Sequence, residues 1–252
     1  MSELPVEPLS RRGRARADTV LEIKQTARKV LVERGVDGLA LRAVAREMGM
    51  TAPGLYRYFA SREDLVEHVV ADLYDELTDV LEAVRDAAEP ATPGVQLMSV
   101  ARAFRQWATT NRAEFGLLFG SAAEGLMPVE DLHAPGEHLT QVASRRFGGV
   151  FAELVARIYL EQGFAVPDEA DIEPALRVQL LEWCAKFPVV LPLGVMHVFL
   201  SCWIRLYGLV CMEVFGHLRF ALDDAAPMFE AELRALGTTL GVAEEFRPPV
   251  RS

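Results

Sequence analysis

The stretch GMTAPGLYRYF, residues Gly49–Phe59, decides the fold. It reads as the end of one helix and the start of another. Glycine stops a helix. Threonine at Thr51 can cap the next one with its side-chain oxygen, and Pro53 fits a first turn, where no amide hydrogen is needed. On a helix starting at Ala52, Leu55 and Phe59 lie about 40° apart and face a core, while Arg57 lies roughly opposite. Tyr56 and Tyr58 flank that stripe. Each can pack its ring against the domain and aim its hydroxyl at a phosphate oxygen.

Working outward, Leu41, Val44, Ala45 and Met48 form a short helical stripe that ends at Gly49. Upstream, Val20, Ile23, Ala27, Val30 and Leu31 recur at helical spacing until Gly35 and Gly38 break the pattern. Downstream, Ser61-Arg62-Glu63-Asp64 resembles a capping box. It opens a long helix with Leu65, Val69, Leu73, Leu77, Leu81 and Val84 on one face, ended by Glu89-Pro90-Ala91-Thr92-Pro93-Gly94. Two short helices joined by a tight glycine turn make a helix-turn-helix, whose second helix enters the DNA major groove.

Charge points the same way. The chain of 252 residues has a net charge of −10, yet residues 1–62 carry 12 Lys+Arg against 7 Asp+Glu, leaving 14 against 29 for the rest. A basic module on an acidic body suits a small nucleic-acid-binding domain carried by one that avoids phosphate. Helical patterns continue near residues 95–112, 113–123, 137–162, 170–186, 193–217 and 226–240, with a loop at Gly125–Gly136. No alternating run is long enough to require a sheet. The fold expected is all-α: a basic N-terminal arm (1–16), a three-helix helix-turn-helix domain (17–65), a larger helical domain (66–243) and a tail (244–252).

Residues 17–65 resemble the DNA-binding domain of the TetR family of bacterial transcriptional regulators. The resemblance rests on Ala27 to Gly38, Leu41-Arg42-Ala43-Val44-Ala45, Gly49-Met50-Thr51, Leu55 to Phe59 and Arg62-Glu63-Asp64-Leu65. It implies base-edge contacts from Arg42, Ala52, Pro53, Gly54 and Arg57, and phosphate contacts from Thr51, Tyr56, Tyr58 and Arg62. Ala40 stands where the family usually has a capping threonine. Arg62 replaces the usual lysine, which keeps the charge and adds a bidentate grip. Arg11, Arg12, Arg14 and Arg16 read either as an arm reaching the minor groove or as a disordered basic tail that aids encounter.

Beyond residue 66 the resemblance implies a domain that dimerises and holds a small effector, released from a palindromic operator when the effector binds. Trp203, Tyr207 and Gly208 resemble a subset of the family with a Trp…His-Gly signature, Tyr207 standing in place of the histidine. Independently, Trp203, Tyr207, Val210 and Val214 recur on one face, as do Phe229, Leu233, Leu236 and Leu240. These two stripes suit an interface across a two-fold axis. Phe104, Trp107, Phe119, Phe147, Phe151 and Trp183 are the large side chains of the central helices. Core packing accounts for most of them, and the family resemblance makes some of them the lining of a mostly apolar effector pocket.

Other chemistries find little support. No nucleotide fingerprint, nucleophile elbow or cofactor motif occurs. His133 and His138 lie near Glu130, Asp131 and Glu137 without a metal-ligand spacing. The run from Pro188 to Ile204 is apolar enough to raise a membrane span, but Pro188, Pro192, Gly194 and Arg205 favour a buried helix. Cys184, Cys202 and Cys211 read as buried thiols, and the polar first fifteen residues carry no secretory pattern, so a cytoplasmic location is expected. The alternative to a regulator is a helical small-molecule-binding protein or enzyme whose N-terminal helices are structural, which would tolerate Arg42→Ala.

Overall fold

The computed structural model describes residues 10–35, 38–88, 91–120, 138–185 and 191–247. Among these, every regular element is helical. They are α1 (Arg11–Arg34), α2 (Leu41–Glu47), α3 (Ala52–Leu55), α4 (Arg62–Ala87), α5 (Pro93–Thr110), α6 (Arg112–Phe119), α7 (Leu139–Gln162), α8 (Pro174–Cys184), α9 (Leu193–Val214) and α10 (Ala226–Thr239). Short 3-10 turns lie at Glu169–Asp171 and Ala243–Glu245. The chain divides into two compact units. One comprises Met1–Tyr74 and Ala113–Ala143, the other Asp75–Arg112 and Ser144–Ser252, so residues of α4 belong to both.

In the first unit, α1 begins earlier than its apolar stripe suggested. Ser10 accepts from the Gly13 amide at 3.1 Å, and a helix capped there carries Arg11, Arg12, Arg14 and Arg16 in its first two turns. The arginines expected in an arm are therefore helical. Arginine is a good helix former, and apolar periodicity is blind to a polar helical extension. Ile23, Ala27, Val30 and Leu31 of α1 are buried with Leu41, Val44 and Ala45 of α2, Leu55 of α3, and Phe59. Burying each of the larger side chains stabilises the unit by roughly 1.5–3 kcal/mol.

The turn after α2 closes with the bond pair of a Schellman motif: the Met50 amide donates to the Ala45 carbonyl at 2.8 Å and the Gly49 amide to Arg46 at 3.1 Å. Gly49 has φ +66°, a backbone state that a side chain would strain. The start of α4 is capped as the sequence suggests, with one change. Ser61 Oγ accepts from the Asp64 amide at 3.1 Å, but the Asp64 carboxylate reaches back to the Ala60 amide at 2.6 Å. That cap and the exposed amides of the first turn also hold the Glu63 carboxyl below its usual range, the backbone bond contributing most and Ser61 next. Across the unit, Lys24 pairs with Asp72 at 2.8 Å and Arg28 with Glu114 at 3.2 Å.

The second unit is built on α5, α9 and α10, with α7 and α8 packed beside them. Val100, Phe104 and Ala108 of α5 share its core with Val150, Phe151 and Leu154 of α7, Val195 and Val210 of α9, and Phe229 and Leu233 of α10. Two bidentate pairs span α5: Arg105 to Glu213 of α9 at 2.7 and 2.6 Å, and Arg102 to Glu230 of α10 at 2.9 and 2.7 Å. Arg146 of α7 meets three carboxylates of α4, Asp75, Asp79 and Glu82, at 3.3, 2.7 and 2.5 Å. Among the described residues α9 alone is long and apolar enough to cross a membrane. Here one of its faces lies in the core of the unit, which gives an apolar helix a place without lipid.

Candidate functional site

The short element after the Gly49 turn is held at both ends. Thr51 Oγ1 accepts from the Gly54 amide at 3.3 Å and caps α3. Beyond Leu55 the helix tightens: Arg57 donates to the Gly54 carbonyl at 3.3 Å and Tyr58 to Leu55 at 2.9 Å, bonds of the 3-10 kind. Leu55 and Phe59 are 0% and 2% exposed and fix the element to its unit. The Phe59 ring meets His68 of α4 edge-on at 5.3 Å, and His68 Nδ1 lies 2.8 Å from the Asp64 carbonyl.

That anchoring sorts the nine expected DNA-contact residues. Arg42, Thr51, Pro53, Tyr56 and Arg57 are exposed, Tyr56 to 54%, whereas Ala52, Gly54, Tyr58 and Arg62 are half-buried. Arg57 lies away from the Leu55/Phe59 anchor, as the spacing suggests. Arg16, read from the sequence as part of either a minor-groove arm or a basic tail, lies in the same neighbourhood. Its guanidinium sits 4.9 Å from the Tyr58 ring centroid and Nη2 donates to the Arg57 carbonyl at 3.2 Å. The signal that could have found it is Ser10, a good capping residue placed directly before the arginines. Ala40 gives α2 no side-chain cap, as its methyl side chain dictates.

The six aromatic residues expected at a pocket part company. Phe119 belongs to the first unit and packs edge-on against Tyr74, with Phe115 at 4.8 Å. In the second unit Phe104, Phe147 and Phe151 surround Trp203, with ring centroids 6.0, 5.7 and 5.3 Å from it. Trp107 lines an open groove with Val80, Val84 and Gln106, and Trp183 stacks on Phe199 at 6.1 Å. Of the six, Phe151 alone lines the apolar pocket formed by α5, α7, α9, α10 and Val242.

Of the eight residues read as a dimer interface, six are buried within the chain, and Trp203 and Tyr207 are half-buried. Val210, Val214, Phe229, Leu233, Leu236 and Leu240 are at most 6% exposed, and Trp203 stacks on Tyr207 and on the phenylalanine cluster. Core packing within the unit has consumed the apolar surface of the six buried residues, leaving little of it for a second copy. The opposite side of α9 remains apolar and open: Ile204 is 59% exposed, Met212 40% and Phe215 42%. On α8, Val178 and Leu181 are exposed as well. Sequence reasoning missed this face because α9 is apolar nearly all round, so its period selects no side.

Among the described residues no group of three or more His, Cys, Asp or Glu is arranged to hold a metal ion. His138 lies 3.4 Å from Glu67, while His133, Glu130, Asp131 and Glu137 fall outside the described residues. Burial raises the thiol pKa of all three cysteines, that of Cys202 to about 11. They are poor nucleophiles at neutral pH.

Comparison with known proteins agrees with this geometry. Residues 23–69 match the family model described as bacterial regulatory proteins, tetR family, and residues 97–236 match the tetracyclin repressor-like C-terminal domain. The HTH-type transcriptional regulator Rv1816 of Mycobacterium tuberculosis is 31% identical over 236 residues, covering 92% of this chain and 96% of that protein. The repressor KstR2 of Mycolicibacterium smegmatis is 30% identical over 86 residues, 34% of this chain and 38% of its own length. Among solved structures, regulatory protein SCO4313 superposes with a TM-score of 0.65 at 29% identity over 90% of this chain and 98% of its own. RolR solved with resorcinol (TM-score 0.54, 16% identity, 94% and 99% covered) and FadR of Bacillus subtilis solved with stearoyl-CoA (0.52, 13%, 86% and 96%) share the fold.

Proposed function

The chain belongs to the TetR family of bacterial transcriptional regulators, and from that premise we propose that it is a cytoplasmic, homodimeric repressor that leaves a palindromic operator when a small, mostly apolar effector binds its second unit. The observation that carries the reading is the exposed Arg57 and Tyr56 on an element pinned by Leu55 and Phe59 and capped by Thr51. In this reading Arg42 and Arg57 read base edges together with the backbone and small side chains of Ala52, Pro53 and Gly54. Thr51, Tyr56, Tyr58 and Arg62 hold phosphates. KstR2, named a repressor, supports the sign of the effect. RolR with resorcinol and FadR with stearoyl-CoA are relatives in fold that take small organic ligands, which supports an effector.

A palindrome needs two copies. The open apolar face of α9, Ile204 with Met212 and Phe215, is where a second copy would bury the most apolar surface, and Gly208 between them would let two such helices approach closely. Effector and operator act on one another through α4. Its residues from Arg62 serve the first unit, and those from Asp75 are gripped by Arg146 in the second. An effector can drive release only through higher affinity for the DNA-free arrangement, so DNA must weaken effector binding by the same factor.

Titration of a labelled operator duplex with the protein and with Arg42→Ala tests the reading. Loss of roughly 1–3 kcal/mol of discrimination at particular base pairs is the expected result. Unaltered binding by Arg42→Ala and Arg57→Ala would instead fit a helical carrier or enzyme with structural N-terminal helices.

A further inference from the structure

The face of α1 that packs into the first unit changes character toward the start of the helix. Ile23, Ala27 and Val30 are buried on it. At about 100° per residue, Arg16 and Arg12 fall on this same face, roughly 40° apart, while Arg11 and Arg14 lie about 140–160° away from Arg16. Arg16 marks the point where the face leaves the core, and its guanidinium is engaged by the Tyr58 ring and the Arg57 carbonyl. Arg12 stands one turn, about 6 Å, farther along the axis. It is exposed, so it overhangs the edge of the unit beside the segment that carries Arg57.

These first two turns serve no core. Arg11, Arg12 and residues 14–18 are exposed, so the stretch gains little from burial, and so short a helical segment is marginal without it. Its charges also stand against its stability. The first turn of α1 holds no acidic residue, and cations there meet the positive end of the helix dipole, whereas α4 opens with Glu63 and Asp64. Asp18, the one carboxylate of residues 10–18, comes four residues after Arg14 and so shares the face opposite Arg12. On the Arg12 side the segment presents positive charge alone. Cations kept where the helix disfavours them fit an anion that comes from outside the chain.

We propose that Arg12 grips a phosphate of the DNA backbone beside the groove that the recognition element enters, which makes the start of α1 a second, sequence-independent hold on the duplex. The proposal rests on the operator-binding reading and adds a contact to it. Helical structure decides the kind of contact. An α-helix with its side chains is about 10–12 Å across and the minor groove about 6 Å wide, so the segment stays outside that groove, where an extended arm would enter it. A guanidinium on a helix outside the groove meets the phosphate oxygens of its rim, which it can grip bidentately. The two arginines of one face thus divide the work: Arg16 positions the segment that carries Arg57, and Arg12 holds the backbone.

The test titrates the full chain and its variants onto two labelled duplexes, one enriched by selection from a random pool and a scrambled version of it, with anisotropy as the readout. Arg12→Ala is expected to weaken binding to both duplexes by the same factor. Each lost phosphate contact makes log affinity against log salt shallower by about 0.9, or about 1.8 for two protomers, so that factor should shrink about twelvefold between roughly 50 and 200 mM KCl. Arg12→Lys should keep most of the slope, and Arg11→Ala and Arg14→Ala nearly all of it. Alanine is the best helix former, so an unchanged circular dichroism spectrum separates a lost contact from a lost helix. An unaltered slope in Arg12→Ala, or an equal loss in Arg11→Ala and Arg14→Ala, would overturn the contact. A loss confined to duplexes with A·T-rich flanks would place Arg12 in the minor groove and overturn it too. Preference for the selected duplex with Arg12→Ala unaffected leaves the operator reading standing without this contact, whereas no preference for any duplex removes that reading and the proposal with it.

Discussion

Arg16 lies over the ring of Tyr58 at 4.9 Å and donates to the carbonyl of Arg57 at 3.2 Å, so a residue in the second turn of α1 holds the segment that presents the recognition side chains. Two expected DNA contacts are thereby tied to an element 41 residues upstream. Arg16→Ala removes a cation–π contact and a charge-assisted hydrogen bond at an exposed site. It is expected to weaken operator binding by about 1–2 kcal/mol while moving the melting temperature little. Anisotropy titrations paired with thermal melts check this, and equal operator affinity would mean that the Thr51 cap alone orders the turn.

The helix-turn-helix was legible because it is specified locally. Leu55 and Phe59 share a face by spacing, Gly49 takes the left-handed turn, and Thr51 and Ser61 cap their own helices. What could not be read is set by contacts distant in sequence. In the segment expected to be a tail, nothing near Glu245 indicates that it caps α5 by accepting from the Val95 amide at 3.1 Å, and nothing near Phe246 reveals Arg102 and Arg234 beside it. The open face of α9 was missed for another reason: Val210 and Met212 are equally apolar, and the packing of α5 and α10 rather than the helical period decides which is covered. The arginines of α1 were missed because charge conceals a helix whose only local mark is Ser10.

Thr51 and Gly49 give the most local prediction. Thr51→Ala should lower stability by about 1 kcal/mol through the lost cap. Gly49→Ala should cost about 1–2 kcal/mol, because φ +66° strains any side chain there. Denaturant unfolding followed by circular dichroism measures both.

Within the recognition element, Arg57→Ala should relax preference at particular base pairs, whereas Tyr58→Phe should weaken all sequences about equally. The arginine reads base edges in this account and the tyrosine hydroxyl holds a phosphate. Competition between operator and single-base variants separates the two patterns. Selective loss at one base pair in Tyr58→Phe would reverse the assignments.

The location of the dimer face can be settled with paired substitutions. Ile204→Glu should give a folded monomer, since its side chain is 59% exposed in the chain by itself. Val210→Glu, at 0% exposure, should unfold the second unit by burying a charge without a partner. Sedimentation velocity and circular dichroism report the two outcomes. A dimer that survives Ile204→Glu would place the two-fold axis elsewhere.

The central claim is that two copies present Arg57 and its neighbours to the DNA major groove. Selection of bound duplexes from a random pool measures this most directly. The account predicts an inverted repeat whose half-sites are centred about one helical turn apart, roughly 34–36 Å, or a multiple of that spacing, with base preference lost in Arg57→Ala. Failure to enrich any sequence, or enrichment that is identical in Arg57→Ala, would contradict it.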